Sequence, residues 1–166
     1  MTWLKNDTLF FSEREKGEAW EHFCFEELRK AGFYIARPPY RRDRDSPDRD
    51  VLSFTSQCDG AIWRDNKWEK IEIKSRNLEF TSHKDFPYEE IFVNQVRKVK
   101  QAEWTLIVSQ KTKAIIGIDK ECALQKGHET VSYDRVRGIQ VRNLSVNKKY
   151  FLDFQELCQA MKTQKA

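Results

Sequence analysis

A chain of 166 residues, 39% hydrophobic and 34% charged, holds one complete hydrophobic core and is too short for two. Its longest apolar runs, 104–108 and 114–118, fall far short of the roughly twenty residues a membrane helix needs, and Met1-Thr2-Trp3-Leu4-Lys5-Asn6-Asp7 lacks the apolar stretch of a secretory signal. These exclusions make a cytoplasmic protein with no membrane partner the expectation, while the net charge of +4 permits polyanion binding without demonstrating it.

Taken in chain order, Ser12-Glu13-Arg14-Glu15 fits a capping box and predicts a first helix starting there. Trp20, Cys24, Leu28 and Ala31 fall on one helical face, and Gly32 ends the helix. A short strand follows over 33–36. Residues 37–50 read as a loop rich in Arg37, Arg41, Arg42, Arg44 and Arg49 with Tyr40, the composition of a segment that grips a nucleic-acid strand. Asp43, Asp45, Asp48 and Asp50 cancel most of that charge, so a self-neutralised linker stays open as the alternative.

Two strands are predicted over 57–64 and 68–75, joined by the turn Asp65-Asn66-Lys67. A second helix is predicted over 88–101, with Tyr88, Phe92, Val96 and Val99 as its apolar stripe. A second hairpin joins 104–109 to 114–119. Residues 120–147 suggest a short helix and a strand or two, and 151–161 a closing helix. The resulting order predicts an α/β sandwich with a mixed sheet in one domain, its core over about 12–119 and a C-terminal elaboration over 120–166. Cys24, Cys58, Cys122 and Cys158 form no Cys-x-x-Cys pair, and His22, His83 and His128 stand apart. That spacing fits reduced, mostly buried thiols and argues against a His/Cys metal site.

The segment that carries chemistry runs over 58–74. Asp59 opens one strand, and Glu72 and Lys74 lie on the next. Strand side chains alternate, so Glu72 and Lys74 emerge on one face while Ile71 and Ile73 anchor the other in the core. Two acids and an amine on one face are costly unless something binds them. Mg²⁺ (or Mn²⁺ in its place) is the natural candidate, held by Asp59, Glu72 and the carbonyl of Ile73. Such a site suits phosphodiester hydrolysis, with Lys74 orienting the attacking water or offsetting charge on the phosphate. A bare Glu-x-Lys in a strand is most often a solvated surface pair. The upstream Asp59-Gly60 and the apolar flanks set this one apart.

This block resembles the core of the PD-(D/E)xK nuclease superfamily, and is most similar to archaeal Holliday-junction resolvases and related phage-type nucleases. Those proteins open with a Gly-x-x-x-Glu helix that ends in a leucine and a Gly-Phe. Here the match is Gly17-Glu18-Ala19-Trp20-Glu21 and then Leu28-Arg29-Lys30-Ala31-Gly32-Phe33. The resemblance covers about residues 15–110 and implies a restriction-endonuclease-like core of helix, three strands, helix, strand. It implies an Mg²⁺-dependent deoxyribonuclease, an endonuclease with DNA as partner, in which a resolvase-like activity would be at home. By the same match Glu21 is the additional acid from the first helix, joining the metal ligands. Glu27 competes with it, since helical arithmetic places Glu27 within the apolar face.

Further candidates are Gln95, a polar group that relatives place in the site or else a boundary amide, and Arg97, Lys98 and Lys100, which either contact phosphates or form a solvated face. With Arg41, Arg42 and Arg44 these make up the expected DNA-binding set. The literal Pro-Asp occurs at Pro47-Asp48, with 23 residues between it and Glu72. Asp59, with twelve between, fits a two-strand hairpin better. Three functions remain open: an active nuclease, a catalytically silent nucleic-acid-binding domain on the same fold, and an interaction domain whose charges are surface groups. A homodimer is required only if cutting is symmetric.

Overall fold

The computed structural model describes the backbone of residues 2–37 and 59–163, with side chains from Lys16 onward. Arg41, Arg42, Arg44, Asp48 and Cys58 lie outside the described residues. Helix α1 spans Thr2–Lys30, eleven residues more than the capping box, which starts the helix after Ser12, predicts. No glycine or proline stands between Thr2 and Lys16, so nothing in the chain interrupts the helix there. Its end is as expected. Gly32 takes φ 103°, its N–H donates to the Arg29 carbonyl, and the Phe33 N–H donates to that of Leu28, the paired closure of a Schellman motif.

The main sheet has six strands in the order β1-β2-β3-β5-β6-β9. They are β1 (Tyr34–Ala36), β2 (Gly60–Arg64), β3 (Lys67–Arg76), β5 (Trp104–Ser109), β6 (Ile115–Asp119) and β9 (Leu152–Asp153). β3 pairs antiparallel with β2 and parallel with β5, which makes the sheet mixed. The β2–β3 turn puts Asp65 at φ 53° and Asn66 at φ 62°, the left-handed pair that a two-residue turn between twisted strands requires. A second sheet, ordered β4-β8-β7, joins β4 (Glu90–Gln95), β8 (Ile139–Asn147) and β7 (His128–Asp134). The described residues also form the short α-helices α2 (Val96–Gln101), α3 (Lys120–Lys126) and α4 (Phe154–Lys162) and a 3-10 turn at Lys148–Tyr150.

The predicted helix over 88–101 is half strand. Glu90 and Phe92 are exposed while Ile91 and Val93 are buried, so the period there is two, and the partner strand β8 lies some fifty residues on. Tyr88 and Phe92 face solvent instead of forming an apolar stripe; Val96 and Val99 are buried as expected.

Two apolar clusters flank the main sheet. Cys24, Phe25 and Leu28 of α1 and Leu157, Cys158 and Met161 of α4 pack on Ile71, Ile73, Leu106 and Val108. On the other face, Val96 and Val99 of α2 and Leu144 and Val146 of β8 pack on Ile107, Ile116 and Ile118. The residues after 119 therefore furnish part of both clusters. Among the described residues no helix is long and apolar enough to cross a membrane.

Candidate active site

β2 ends its pairing with β3 at Gly60 opposite Ile71, while β3 runs on beside β5 as far as Arg76. A notch opens where β2 leaves. Asp59 sits at its mouth: its N–H donates to the Ile71 carbonyl at 3.1 Å and its Oδ2 accepts from the Ile73 N–H at 2.7 Å. That N–H has lost its strand neighbour, and the carboxylate takes its place. A strand residue turns its N–H and C=O to the same side, so the Ile73 carbonyl faces the notch too.

Gly60 fixes how closely α1 approaches. A side chain there would run into the Phe25 ring and the Ala36 carbonyl, so only glycine lets the helix come this near. One turn before Phe25, Glu21 reaches the notch and contacts Asp59. Glu72, 5% exposed, contacts Asp59 as well. The predicted acids are thus brought together, with Asp59 in the middle of a chain of three.

The electrostatics are those of charge crowded without enough compensation. Burial, then the adjacent Asp59, pushes the Glu21 carboxyl up to about 8. Burial, then Asp59, pushes Glu72 up to about 7, opposed by Lys98 and Lys74. Arg37 answers Glu21 with a 3.7 Å ion pair, lies 5.3 Å above the Phe25 ring and contacts His22 Nδ1 at 3.3 Å. The donor set is all oxygen, carboxylates with a carbonyl alongside, which suits Mg²⁺ or Mn²⁺ and not a thiolate-seeking metal.

The other candidates divide. Lys74 is half-buried on the Glu72 face of β3. Lys98 is half-buried and close enough to Glu72 to act on its charge, whereas Arg97 and Lys100 are exposed. Gln95 caps the start of α2 and is half-buried; no hydrogen bond of its side-chain amide is found among the described residues. Glu27 pairs with Lys30 at 3.5 Å, which separates it from the notch. Lys98 belongs with the acids more than with an outer phosphate-binding face, a placement that a helix beginning at 88 does not predict.

A second group went unnoticed in the sequence. His83, Asp153 and Glu156 offer ligand atoms all within 4.8 Å of one another. His83 Nδ1 and Asp153 Oδ1 lie 2.7 Å apart, and the His83 N–H donates to the same oxygen at 2.8 Å. His83 and Asp153 are 70 positions apart and become neighbours only through the fold.

No protein-family model and no curated protein matches the chain. Among solved structures, it is similar to Hjc, a Holliday junction resolvase of Archaeoglobus fulgidus, an archaeal hyperthermophile, at 16% identity and a TM-score of 0.49 over 90% of this chain and 99% of that one. It is also similar to a nuclease from a fusselovirus, at 12% identity and a TM-score of 0.41 over 98% of this chain and 93% of that one.

Proposed function

We propose that this protein is a metal-dependent nuclease that hydrolyses phosphodiester bonds of DNA, cutting as an endonuclease. The observation that carries the reading is Asp59 touching both Glu21 and Glu72 at the notch, with Lys74 two residues beyond Glu72 on the same strand face. Asp59, Glu72, Glu21 and the carbonyl of Ile73 would hold Mg²⁺ or Mn²⁺. When bound, the cation supplies Lewis-acid polarisation of the phosphate and a lowered pKa for bound water.

The chain's own residues do the rest. Ile73 N–H fixes one oxygen of Asp59 and so leaves the other oriented towards the notch. Lys74 and Lys98 place positive charge beside the acids, where a phosphodiester gains negative charge in the transition state; a lysine ammonium there is worth more to the transition state than to the bound substrate. Arg37 steadies Glu21 from the protein side. Arg97, Lys100 and the arginines Arg41, Arg42 and Arg44 are proposed to meet phosphates further out, which makes the logarithm of the affinity fall linearly with log salt.

The test is incubation with linear, single-stranded, branched and supercoiled DNA, and with RNA, in Mg²⁺, Mn²⁺ and EDTA. Cleavage of DNA in either metal and none in EDTA is the expected result. Oligonucleotide binding with no cleavage under any condition would favour a catalytically silent binding domain instead.

A further inference from the structure

β3 presents Trp68, Lys70, Glu72, Lys74 and Arg76 on one face, since alternate strand side chains emerge together and its register runs unbroken from Lys67 to Arg76. Over β5 and β6 this face is covered by α2 and the small sheet. Over β1, β2 and the start of β3 no element of the described residues covers it. Trp68 is 36% exposed, Trp63 directly across from it 40%, and Tyr34, across from Trp63 in turn, 77%. The two tryptophans meet edge to face with centroids 5.2 Å apart. At the far end of the strand the Arg76 guanidinium lies 5.7 Å from the centre of the Phe92 ring, and Phe92 is 42% exposed.

Contiguous exposed aromatics mark a surface that something covers. The charge on this face says what. Along the outward row of β3 the amines of Lys70 and Lys74 and the guanidinium of Arg76 surround a single carboxylate, Glu72 itself. A row of cations with flat rings at either end suits a single nucleic-acid strand, which offers phosphates to the cations and base faces to the rings. A duplex keeps its bases stacked on one another and offers the rings no free base face.

We propose that this face is a track for an unpaired DNA strand, with Trp68, backed by Trp63 and Tyr34, stacking a base on one side of the cut and Phe92, braced by Arg76, stacking one on the other. The inference rests on the nuclease reading of Glu72 and Lys74 and adds a substrate class to it: DNA that is single-stranded beside the scissile bond, as in tails, flaps and branches. The row from Trp68 to Arg76 is about 26 Å long at roughly 3.3 Å per residue, a length suited to several unstacked nucleotides.

The test is fluorescence anisotropy in EDTA with three labelled probes of equal length: a dT tract, an abasic tract and a blunt duplex. Trp68→Leu and Phe92→Leu should each weaken dT binding about tenfold and leave the abasic and duplex probes as they are. Trp68→Phe and Phe92→Trp should bind dT close to wild type, which shows that the ring and not a folding defect is being read. Arg76→Ala should weaken dT and abasic binding alike. Leucine variants that bind dT as wild type does, or that weaken all three probes equally, overturn the proposal. So does a wild type that sediments as a dimer and is split by Trp68→Leu with dT binding unchanged, because the face then belongs to a second copy. EDTA keeps turnover out of the measurement: a chain that cuts nothing can still show the track, and one that cuts DNA can still lack it.

Discussion

Two acidic groups in this molecule make opposite use of the same side chains. His83, Asp153 and Glu156 are the more compact, with ligand atoms all within 4.8 Å, and they are the better satisfied. Burial raises the Asp153 carboxyl, but hydrogen bonds from the His83 N–H and ring outweigh it and hold the group below its ordinary range. The pair fastens the segment after β3 to the start of α4. Glu21, Asp59 and Glu72 are more loosely set and poorly satisfied, with Glu21 pushed up to about 8 and Glu72 to about 7. We propose that a surplus of like charge held without neutralisation, more than compactness, marks the site here, because a bound cation would relieve it.

The largest effect that separates the two groups is on cleavage. Glu72→Gln and Asp59→Asn should abolish it, a loss of several orders of magnitude, and calorimetric titration should show Mn²⁺ binding lost with it. His83→Ala should cut DNA at the wild-type rate and lower stability by about 1–2 kcal/mol, since it removes a partly buried charged hydrogen bond. If His83→Ala abolished metal binding and Asp59→Asn did not, the roles of the two groups would be exchanged.

Lys74→Ala comes next. It should lower the single-turnover rate by about 10²–10³-fold, the scale of losing one group that stabilises transition-state charge. DNA affinity measured in Ca²⁺ should hardly move. A variant that fails only because it no longer binds would remove Lys74 from the chemistry.

A finer comparison lies within α1. Glu21→Gln should reduce cleavage by orders of magnitude, whereas Glu18→Gln should stay near wild type, because Glu21 contacts Asp59, while Glu18 acts on Glu21 through its charge. The reverse pattern would shift the site one turn along the helix.

How far the sequence foretold this arrangement depends on whether its cause is local. The β2–β3 hairpin was legible because Asp65-Asn66 is a turn pair and Ile71 and Ile73 alternate with Glu72 and Lys74. Gly32 was legible as a stop for the same reason. β4 was not: Ile91 and Val93 suit either period over so short a stretch, and what decides is pairing with β8, which is distant in sequence. The misreading had a cost at the site, since it hid the inward placement of Lys98. The fit of Gly60 against Phe25 was equally invisible, because a helix-to-strand distance is not written in either element alone. His83 and Asp153 fail the same test of locality.

The smallest expected effect is on stability, and there the two groups differ in sign. A carboxyl raised in the fold is protonated in both states below about 4.5, the ordinary value for glutamate. As pH climbs, the unfolded chain ionises first, and stability falls until the folded group has ionised as well. Glu21 and Glu72 should therefore make the cation-free protein lose stability between about pH 4.5 and about pH 8. Asp153 is held below its ordinary 3.8, so its contribution is present above that value and lost as pH falls beneath it. Thermal midpoints measured from pH 3 to pH 9 in EDTA should accordingly decline on both sides, the acid limb made shallower by His83→Ala, which leaves the backbone N–H on Asp153, and the alkaline limb flattened in the Glu21→Gln, Glu72→Gln double variant. Saturating Mg²⁺ should flatten the alkaline limb in the wild type too, because a cation favours the ionised acids that the apo fold resists. An alkaline limb of unchanged slope in the double variant would show that these carboxyls are not under the strain their burial implies, and the contrast between the two groups would then reduce to geometry.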